Sequence, residues 1–172
     1  MSRAREPRSG ASPIVREGEV YRLDLGDRDS WDAGDFVALA GGDGPGASAP
    51  TLERMLAAEA LWRGEFLPDF PYEPWSEETR RDLERRRVEL LERLAGTLLE
   101  GGRPGAAIDR YRRLIDADPE REGWHRALMR AYAQAGERPL ALRQFHACRA
   151  LLRGRLGIEP SQETRELYAS LL

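Results

Sequence analysis

The sequence contains no lysine, one cysteine and two histidines among its 172 residues. The single cysteine, Cys148, excludes an internal disulfide bond, and we expect a protein of the reducing cytoplasm. No run approaches the roughly 18 apolar residues that a transmembrane helix needs. Residues 1–12 lack the apolar stretch of a secretory signal. These absences predict a cytoplasmic protein that does not associate with a membrane.

Arginines and acidic residues are unevenly distributed along the chain. Residues 1–100 hold 14 arginines and 21 acidic residues, whereas residues 101–172 hold 13 and 9, so the two parts carry net charges of −7 and +4. Because affinity for duplex nucleic acid comes largely from basic side chains, the acidic part argues against tight binding of a phosphate backbone. The mildly basic second part permits an acidic partner.

The N-terminal residues predict a tail and a hairpin. Residues 1–13 are polar, and we expect a disordered tail there. Residues 14–25 favour a β-hairpin that turns at Glu17 and Gly18, because apolar and polar residues alternate along the second strand. Since a lone hairpin is marginal in water, it is expected to pack on another element.

Two short helices with a loop between them are predicted next. Residues 31–39 form an amphipathic segment, and residues 41–50 form a loop rich in glycine and proline. Thr51 is predicted to cap a helix that runs to Trp62.

Five large aromatic side chains occur close together at and beyond the end of that helix. The three prolines between residues 64 and 75 exclude a helix there, and we interpret this stretch as an ordered, packed loop. The rings are predicted to be buried against the first helices, and a binding site for a peptide is the alternative. They are Trp62, Phe66, Phe70, Tyr72 and Trp75.

Helical periodicity then continues to the end of the sequence. Ser76 is predicted to cap a long helix that runs to Glu100 and carries i,i+4 ion pairs such as Glu89–Arg93. Asp118 is predicted to cap a later helix in which Pro119 takes the first position. After the long helix, the predicted helices span residues 104–117, 118–136, 139–156 and 160–172.

A repeat of 34 residues is the strongest signal in the sequence. It relates Gly102 to Gly136, and at the same offset Ala107, Ile108 and Tyr111 match Ala141, Leu142 and Phe145. All six of these apolar residues are predicted to face inward. This period is typical of TPR hairpins, each of which must stack on the next to bury its apolar stripe. The sequence therefore predicts an all-α, TPR-like array of helical hairpins (an α-solenoid) behind a short N-terminal β-hairpin. Residues 104–117 and 139–156 are taken as the first helices of their pairs, which would line a concave groove.

Several separated motifs stand in order at residues 60–67, 90–95, 118–122, 125–129 and 156–161. They resemble the bacterial transcriptional activator domain of SARP-type transcription regulators, and the resemblance runs from about Trp31 to Leu172. It implies a TPR-like domain that aids dimerisation, contacts a DNA-binding winged helix and helps to recruit RNA polymerase.

The resemblance also predicts how the chain is divided. Residues 31–172 would be the activator domain, and the hairpin within residues 14–30 resembles only the wing of a winged helix. The recognition helix of the family is absent, so DNA would be reached only through a winged helix outside this chain. A fragment, a true start upstream of Met1 and a stand-alone activator domain all stay open, as does a generic TPR scaffold.

Basic residues on the repeated helices are the candidate partner-binding residues. An outward basic surface would suit an acidic segment of an RNA polymerase subunit or sigma factor, or of the regulator's own DNA-binding domain, and a homodimer is a further possible assembly. The candidates are Arg110, Arg113, Arg143, His146, Arg149 and Arg153.

No residue pattern predicts an enzyme, a metal site or a cofactor site. His125 and His146 lie on different predicted helices, so they are assigned to capping or surface positions, and Cys148 falls on an apolar stripe as a small core residue. Paired acidic residues at positions 77–78 and 118–122 lie at helix N-termini, where the helix dipole accounts for them.

Overall fold

The structure, a computed structural model, describes residues 14–17, 20–23, 32–41, 49–66 and 74–172, the last range without the side chain of Trp75. Only the backbone of the first two ranges is described. The predicted tail at residues 1–13, most of the predicted loop at residues 41–50, and the rings of Phe70, Tyr72 and Trp75 lie outside the described residues.

The described residues form two strands and seven helices, and the fold is all-α, as predicted. The strands are β1 (Ile14–Glu17) and β2 (Val20–Leu23). The helices are α1 (Asp32–Ala40), α2 (Leu52–Leu61), α3 (Pro74–Glu100), α4 (Pro104–Ala117), α5 (Glu122–Gln134), α6 (Arg138–Leu156) and α7 (Gln162–Ser170). None of these helices is long and apolar enough to cross a membrane.

The two strands pair in antiparallel fashion, with Ile14 opposite Leu23 and Glu17 opposite Val20. This register confirms the predicted hairpin within the described residues. The predicted turn residue Gly18 lies outside them.

Arginine side chains hold the C-terminal end of α1. Arg54 of α2 donates to the carbonyl of Ala38 at 2.6 Å, and Arg93 of α3 donates to the carbonyl of Ala40 at 2.7 Å. Arg93, predicted to pair with Glu89 on its own helix, therefore joins α3 to α1 instead. At the start of α2, the Thr51 hydroxyl accepts the N–H of Arg54 at 3.3 Å, which confirms the predicted cap.

The prediction that Ser76 caps α3 is wrong, because α3 begins two residues earlier, at Pro74. Proline suits the first position of a helix, where its fixed φ is already helical and its missing N–H would have had no partner in the helix. Ser76 is instead fully buried in the first turn.

Two glycine turns of the same design connect the helices in pairs. Gly102 (φ 69°) and Gly136 (φ 79°) adopt the left-handed conformation that glycine tolerates best. The turns are closed by N–H groups that reach back to the preceding helix, at 2.8 Å from Arg103 to Leu98 and at 2.8 Å from Glu137 to Tyr132. The tight hairpins are therefore α3–α4 and α5–α6. Consequently α4 and α6 are the second helices of their hairpins, and the prediction that they come first and line the concave groove is wrong.

Asp118 ends α4 rather than beginning α5, so its predicted role as an N-cap is also wrong. The Asp118 carboxylate accepts the N–H of Glu120 at 3.2 Å, which holds a turn of the kind that aspartate favours. The Arg121 N–H also bonds to the Asp118 carbonyl, so residues 118–121 form a turn and α5 starts only at Glu122.

One continuous apolar core runs through α1 to α6, and α7 packs against it through Leu167, Tyr168 and Leu171. Ala141 and Phe145 of α6 are buried in this core as predicted. Leu142 is only half-buried and does not belong to the core cluster, so its predicted inward position is wrong.

Candidate partner-binding surface

The two candidate arginines on α4 converge on one carboxylate. Arg110 and Arg113 bind the two oxygens of Glu59, on α2, at 2.6 Å and 3.1 Å. The side chain of Arg110 is 19% exposed and that of Glu59 only 14%, whereas Arg113 is 55% exposed. The α4 pair therefore ties α4 to α2, and only Arg113 presents much of its side chain to solvent.

Two of the candidates on α6 share a second carboxylate. Arg149 binds Glu159, in the loop before α7, at 3.0 Å, and Arg153 binds the other oxygen of the same group. Although desolvation acts in the opposite direction, the hydrogen bonds from Arg149 and Arg153 lower the pKa of Glu159. All three side chains are 42–57% exposed, so this cluster remains accessible to a partner.

The remaining two candidates, Arg143 and His146, are exposed on α6. The His146 ring lies edge-on to Tyr168 of α7, with 5.4 Å between the ring centroids, and its Nε2 is 3.4 Å from the Tyr168 hydroxyl. Among the described residues, no carboxylate lies within 4 Å of Arg143. The structure thus brings together four candidates on α6 and separates them from the pair on α4.

A polar cluster that the sequence did not predict holds the start of α7. Glu122 accepts hydrogen bonds from the Ser161 N–H at 2.8 Å and the Ser161 hydroxyl at 2.6 Å. Arg126, one turn further along α5, donates to the hydroxyls of Ser161 and Thr164. These contacts place the loop before α7, and with it Glu159, beside α6. The only hint in the sequence was that Glu122, Arg126 and Ser161 fall within three of the motif stretches, at 118–122, 125–129 and 156–161.

The prediction that His125 takes a capping or surface position is wrong, because its side chain is buried between α5 and α6. Its Nε2 lies 2.9 Å from the Pro119 carbonyl, which can only accept, so Nε2 carries the proton. Nδ1 then accepts from the Gln144 amide at 2.7 Å. Burial lowers the pKa of His125 and so favours this neutral form.

The described residues hold no cluster of three or more histidine, cysteine or acidic side chains that could bind a metal ion. Cys148 is fully buried, in agreement with the prediction of a core position, and burial raises the pKa of its thiol to about 11. A thiol with such a pKa is almost entirely protonated at neutral pH and is a poor nucleophile.

Comparison with known protein families identifies the family of the helical array. Residues 33–172 match the family model described as the bacterial transcriptional activator domain. The chain belongs to this family. The activator domain, of the kind found in SARP-type regulators, thus covers α1 to α7, and the resemblance predicted from the motifs is confirmed.

Named relatives of the activator domain are transcription regulators. The chain is 30% identical over a 164-residue alignment to the transcriptional regulatory protein MoaR1 of Mycobacterium tuberculosis (strain ATCC 25618 / H37Rv), and the match covers 92% of this chain and 52% of MoaR1. It is 34% identical over 112 residues to the regulatory protein AfsR of Streptomyces griseus, which is 65% of this chain and 11% of AfsR. The chain therefore spans about half the length of MoaR1.

A solved structure has the same fold. Mycobacterium tuberculosis EmbR, in complex with a low affinity phosphopeptide, superposes on this chain with a TM-score of 0.66 and 24% sequence identity. The match covers 92% of this chain and 43% of the EmbR chain.

Proposed function

We propose that this activator domain works by protein–protein contact in the bacterial cytoplasm and that the exposed basic group on α6 is the contact surface. Its partner would be an acidic segment of an RNA polymerase subunit or sigma factor, or of the DNA-binding domain of the same regulator. The proposed activity needs no catalytic group or cofactor. Dimerisation through another surface is compatible with this role.

The observation that carries the proposal is the accessibility of the α6 group compared with the α4 pair. Arg110 is largely buried in its pair with Glu59, and drawing it away would leave this carboxylate of low exposure paired only with the exposed Arg113. On α6, Arg143 and His146 are exposed, and Arg149 and Arg153 share one exposed carboxylate. An incoming acidic segment can therefore bind α6 without breaking a buried ion pair.

The test is retention of purified RNA polymerase holoenzyme on the immobilised domain. Wild type is compared with the double variant Arg143→Glu/Arg149→Glu, and the matched control is Arg103→Glu/Arg130→Glu, which makes the same charge change at two exposed arginines outside the candidate set. We expect the first double variant to lose retention and the control to keep it. Retention should also fall as salt rises, because attraction between exposed charges is screened over about 8 Å at physiological ionic strength.

Equal retention by wild type and Arg143→Glu/Arg149→Glu would exclude α6 as the contact. If neither the holoenzyme nor a purified winged-helix domain is retained by wild type, a generic TPR scaffold becomes the better description. Analytical ultracentrifugation of the same variants tests dimerisation separately.

A further inference from the structure

Two adjoining cavities flank the side chain of Trp62, where α1, α2 and α3 meet. The larger has a volume of about 620 Å³, and the described residues that line it include Phe36, Leu61, Phe66 and Leu83. The smaller has a volume of about 260 Å³ and shares Phe36 and Trp62 with the larger. The two cavities therefore adjoin at Phe36 and Trp62, and we call them together the Trp62 cleft.

Trp62 is held in the middle of this cleft from two sides. Its ring packs edge-on against Phe36, with 5.3 Å between centroids, and the Arg87 guanidinium lies 4.9 Å from the Trp62 ring centroid. A cation over an aromatic face is attracted by the ring quadrupole. The indole is thus packed on two sides, by Phe36 and by Arg87.

The two ends of the cleft differ in chemistry. The described walls of the larger cavity are mostly apolar, although Asp32, Arg63 and Glu65 contribute to its edge. The smaller cavity contains Arg87 and Arg113 beside apolar side chains of α3. A ligand that fills both ends needs an apolar body and a polar head.

The charges at the smaller cavity favour an anionic head. Glu59 is shared by Arg110 and Arg113, and Arg87 has a long contact of 3.5 Å with Glu84. The described lining of the smaller cavity therefore holds two guanidinium groups, those of Arg87 and Arg113, and one carboxylate, that of Glu59. Because Arg113 is 55% exposed, it can turn toward a ligand while Arg110 keeps Glu59 paired.

We propose that the Trp62 cleft binds a small amphipathic anion. Its aliphatic or aromatic body would lie against Phe36, Phe66 and Trp62, and its carboxylate-type head would bind Arg87 and Arg113. The larger cavity falls within the range of roughly 300–1,000 Å³ that is usual for small-molecule sites, which are mainly apolar with a few placed polar groups. This site lies on α1 to α4, so it is independent of the polymerase contact proposed on α6.

The test uses three ten-carbon probes that differ only in the head group: decanoate, decanol and decyltrimethylammonium. Isothermal titration below their micelle concentrations should give about tenfold tighter binding of decanoate than of the cation, because the carboxylate can accept hydrogen bonds from the two guanidinium groups and the cation cannot. Decanoate should also raise the melting temperature of the domain, because a ligand of the folded state stabilises it.

Two variants locate the site. Ala33 is half-buried on the wall of the larger cavity. The phenyl ring of Ala33→Phe would occupy part of this cavity and should weaken decanoate binding about tenfold. Arg87→Gln/Arg113→Gln should retain decanol binding and lose the preference for decanoate. Arg143→Gln/Arg165→Gln, at two exposed arginines on α6 and α7, is the matched control and should bind as wild type does.

Several results would overturn the proposal. They are no binding of decanoate, equal affinities for decanoate and the cation, a lowered melting temperature in decanoate, or unchanged binding to Ala33→Phe. Ala33→Phe should still retain RNA polymerase, so failure of the cleft proposal and failure of the α6 contact give different results.

Discussion

The helices α4 and α6, which the 34-residue repeat relates, bury the same face. Ala107 and its repeat partner Ala141 are fully buried, and Tyr111 and its partner Phe145 are 6% and 5% exposed. Small residues at the first position let a neighbouring helix approach closely, and the rings fill the space one turn further on. This face is determined by the helix itself and its own hairpin.

The two helices differ at the position next to this face. Ile108 is buried in the core cluster, whereas its repeat partner Leu142 is half-buried outside it. Beyond α4 the array continues with the hairpin α5–α6, whereas α6 is followed among the described residues by α7 alone. The repeat therefore predicts the direction in which a side chain points, whereas the burial of that side chain depends on the element that packs against it.

One contact to a tyrosine hydroxyl recurs in both copies through different side chains. Arg112 of α4 donates to the Tyr132 hydroxyl at 2.8 Å, and at the matching position His146 of α6 lies 3.4 Å from the Tyr168 hydroxyl. Each following helix is thus placed by a tyrosine. The α7 contact is longer and more exposed, which makes α7 the more weakly held of the two.

The largest expected effects are those of Tyr111→Ala and Phe145→Ala. Each removes a buried ring and should lower the free energy of unfolding by about 3–5 kcal/mol. Urea unfolding of both variants measures this directly. Losses that differ by more than about twofold would show that the shared face is not equivalent in the two copies.

The next largest effect should differ between the two copies of the repeat. Ile108→Ala should cost about 2–5 kcal/mol, as expected for a buried aliphatic residue, whereas Leu142→Ala should cost less than about 1 kcal/mol. Leu142→Asp should accordingly be tolerated much better than Ile108→Asp. Thermal melts of the four variants check this, and similar losses at the two positions would contradict the difference in burial.

A smaller effect concerns the start of α7. Glu122→Gln replaces a largely buried carboxylate that accepts two hydrogen bonds from Ser161, and a loss of about 1–3 kcal/mol is expected at neutral pH. Although desolvation alone would raise it, the hydrogen bonds from Ser161 and Thr164 leave the pKa of Glu122 lowered from its ordinary value of 4.5.

The sign of the pH dependence follows from that lowered pKa. The contribution of Glu122 is complete above pH 4.5 and is lost as the pH falls toward its folded-state pKa. Wild type should therefore lose more stability than Glu122→Gln when the pH is lowered through this window. Parallel stability curves for the two proteins would show that Glu122 does not hold α7.

The smallest effect is that of Arg143→Ala. This exposed side chain has no carboxylate within 4 Å among the described residues, and its removal should shift the melting temperature by less than about 2 °C. A larger shift would mean that Arg143 stabilises α6 and is not free for a partner.

Helix ends were predictable where the signal is local. Glycine after an apolar stripe correctly placed the ends of α3, α5 and α6, because a left-handed residue closes a helix without help from distant groups. The error at Asp118 lies beside Pro119, and the error at Ser76 lies two residues after Pro74. In both places the sequence offers a polar residue and a proline, and it does not show which of them starts the helix or forms a turn.

The candidate surface was predictable only in part. Helical periodicity placed Arg143, His146 and Arg149 on the accessible side of α6, since that depends on their position relative to the apolar stripe. Glu59 and Glu159 were not foreseen as partners, because Glu59 is 51 residues from Arg110 in sequence. Such pairs form only when the packing of whole helices brings them together.

The length of α3 has a mechanical consequence. Its 27 residues correspond to a rod of about 40 Å, roughly twice the length of the 14-residue α4. α3 contacts α1 and α2 as well as α4, so it belongs both to the Trp62 cleft and to the first hairpin of the array. Repeat arrays ordinarily lose their units one at a time, but a helix shared by two units cannot be lost by one alone. A force applied at α1 is therefore transmitted to α4 through α3, and we expect α1 to α4 to unfold together as one cooperative unit.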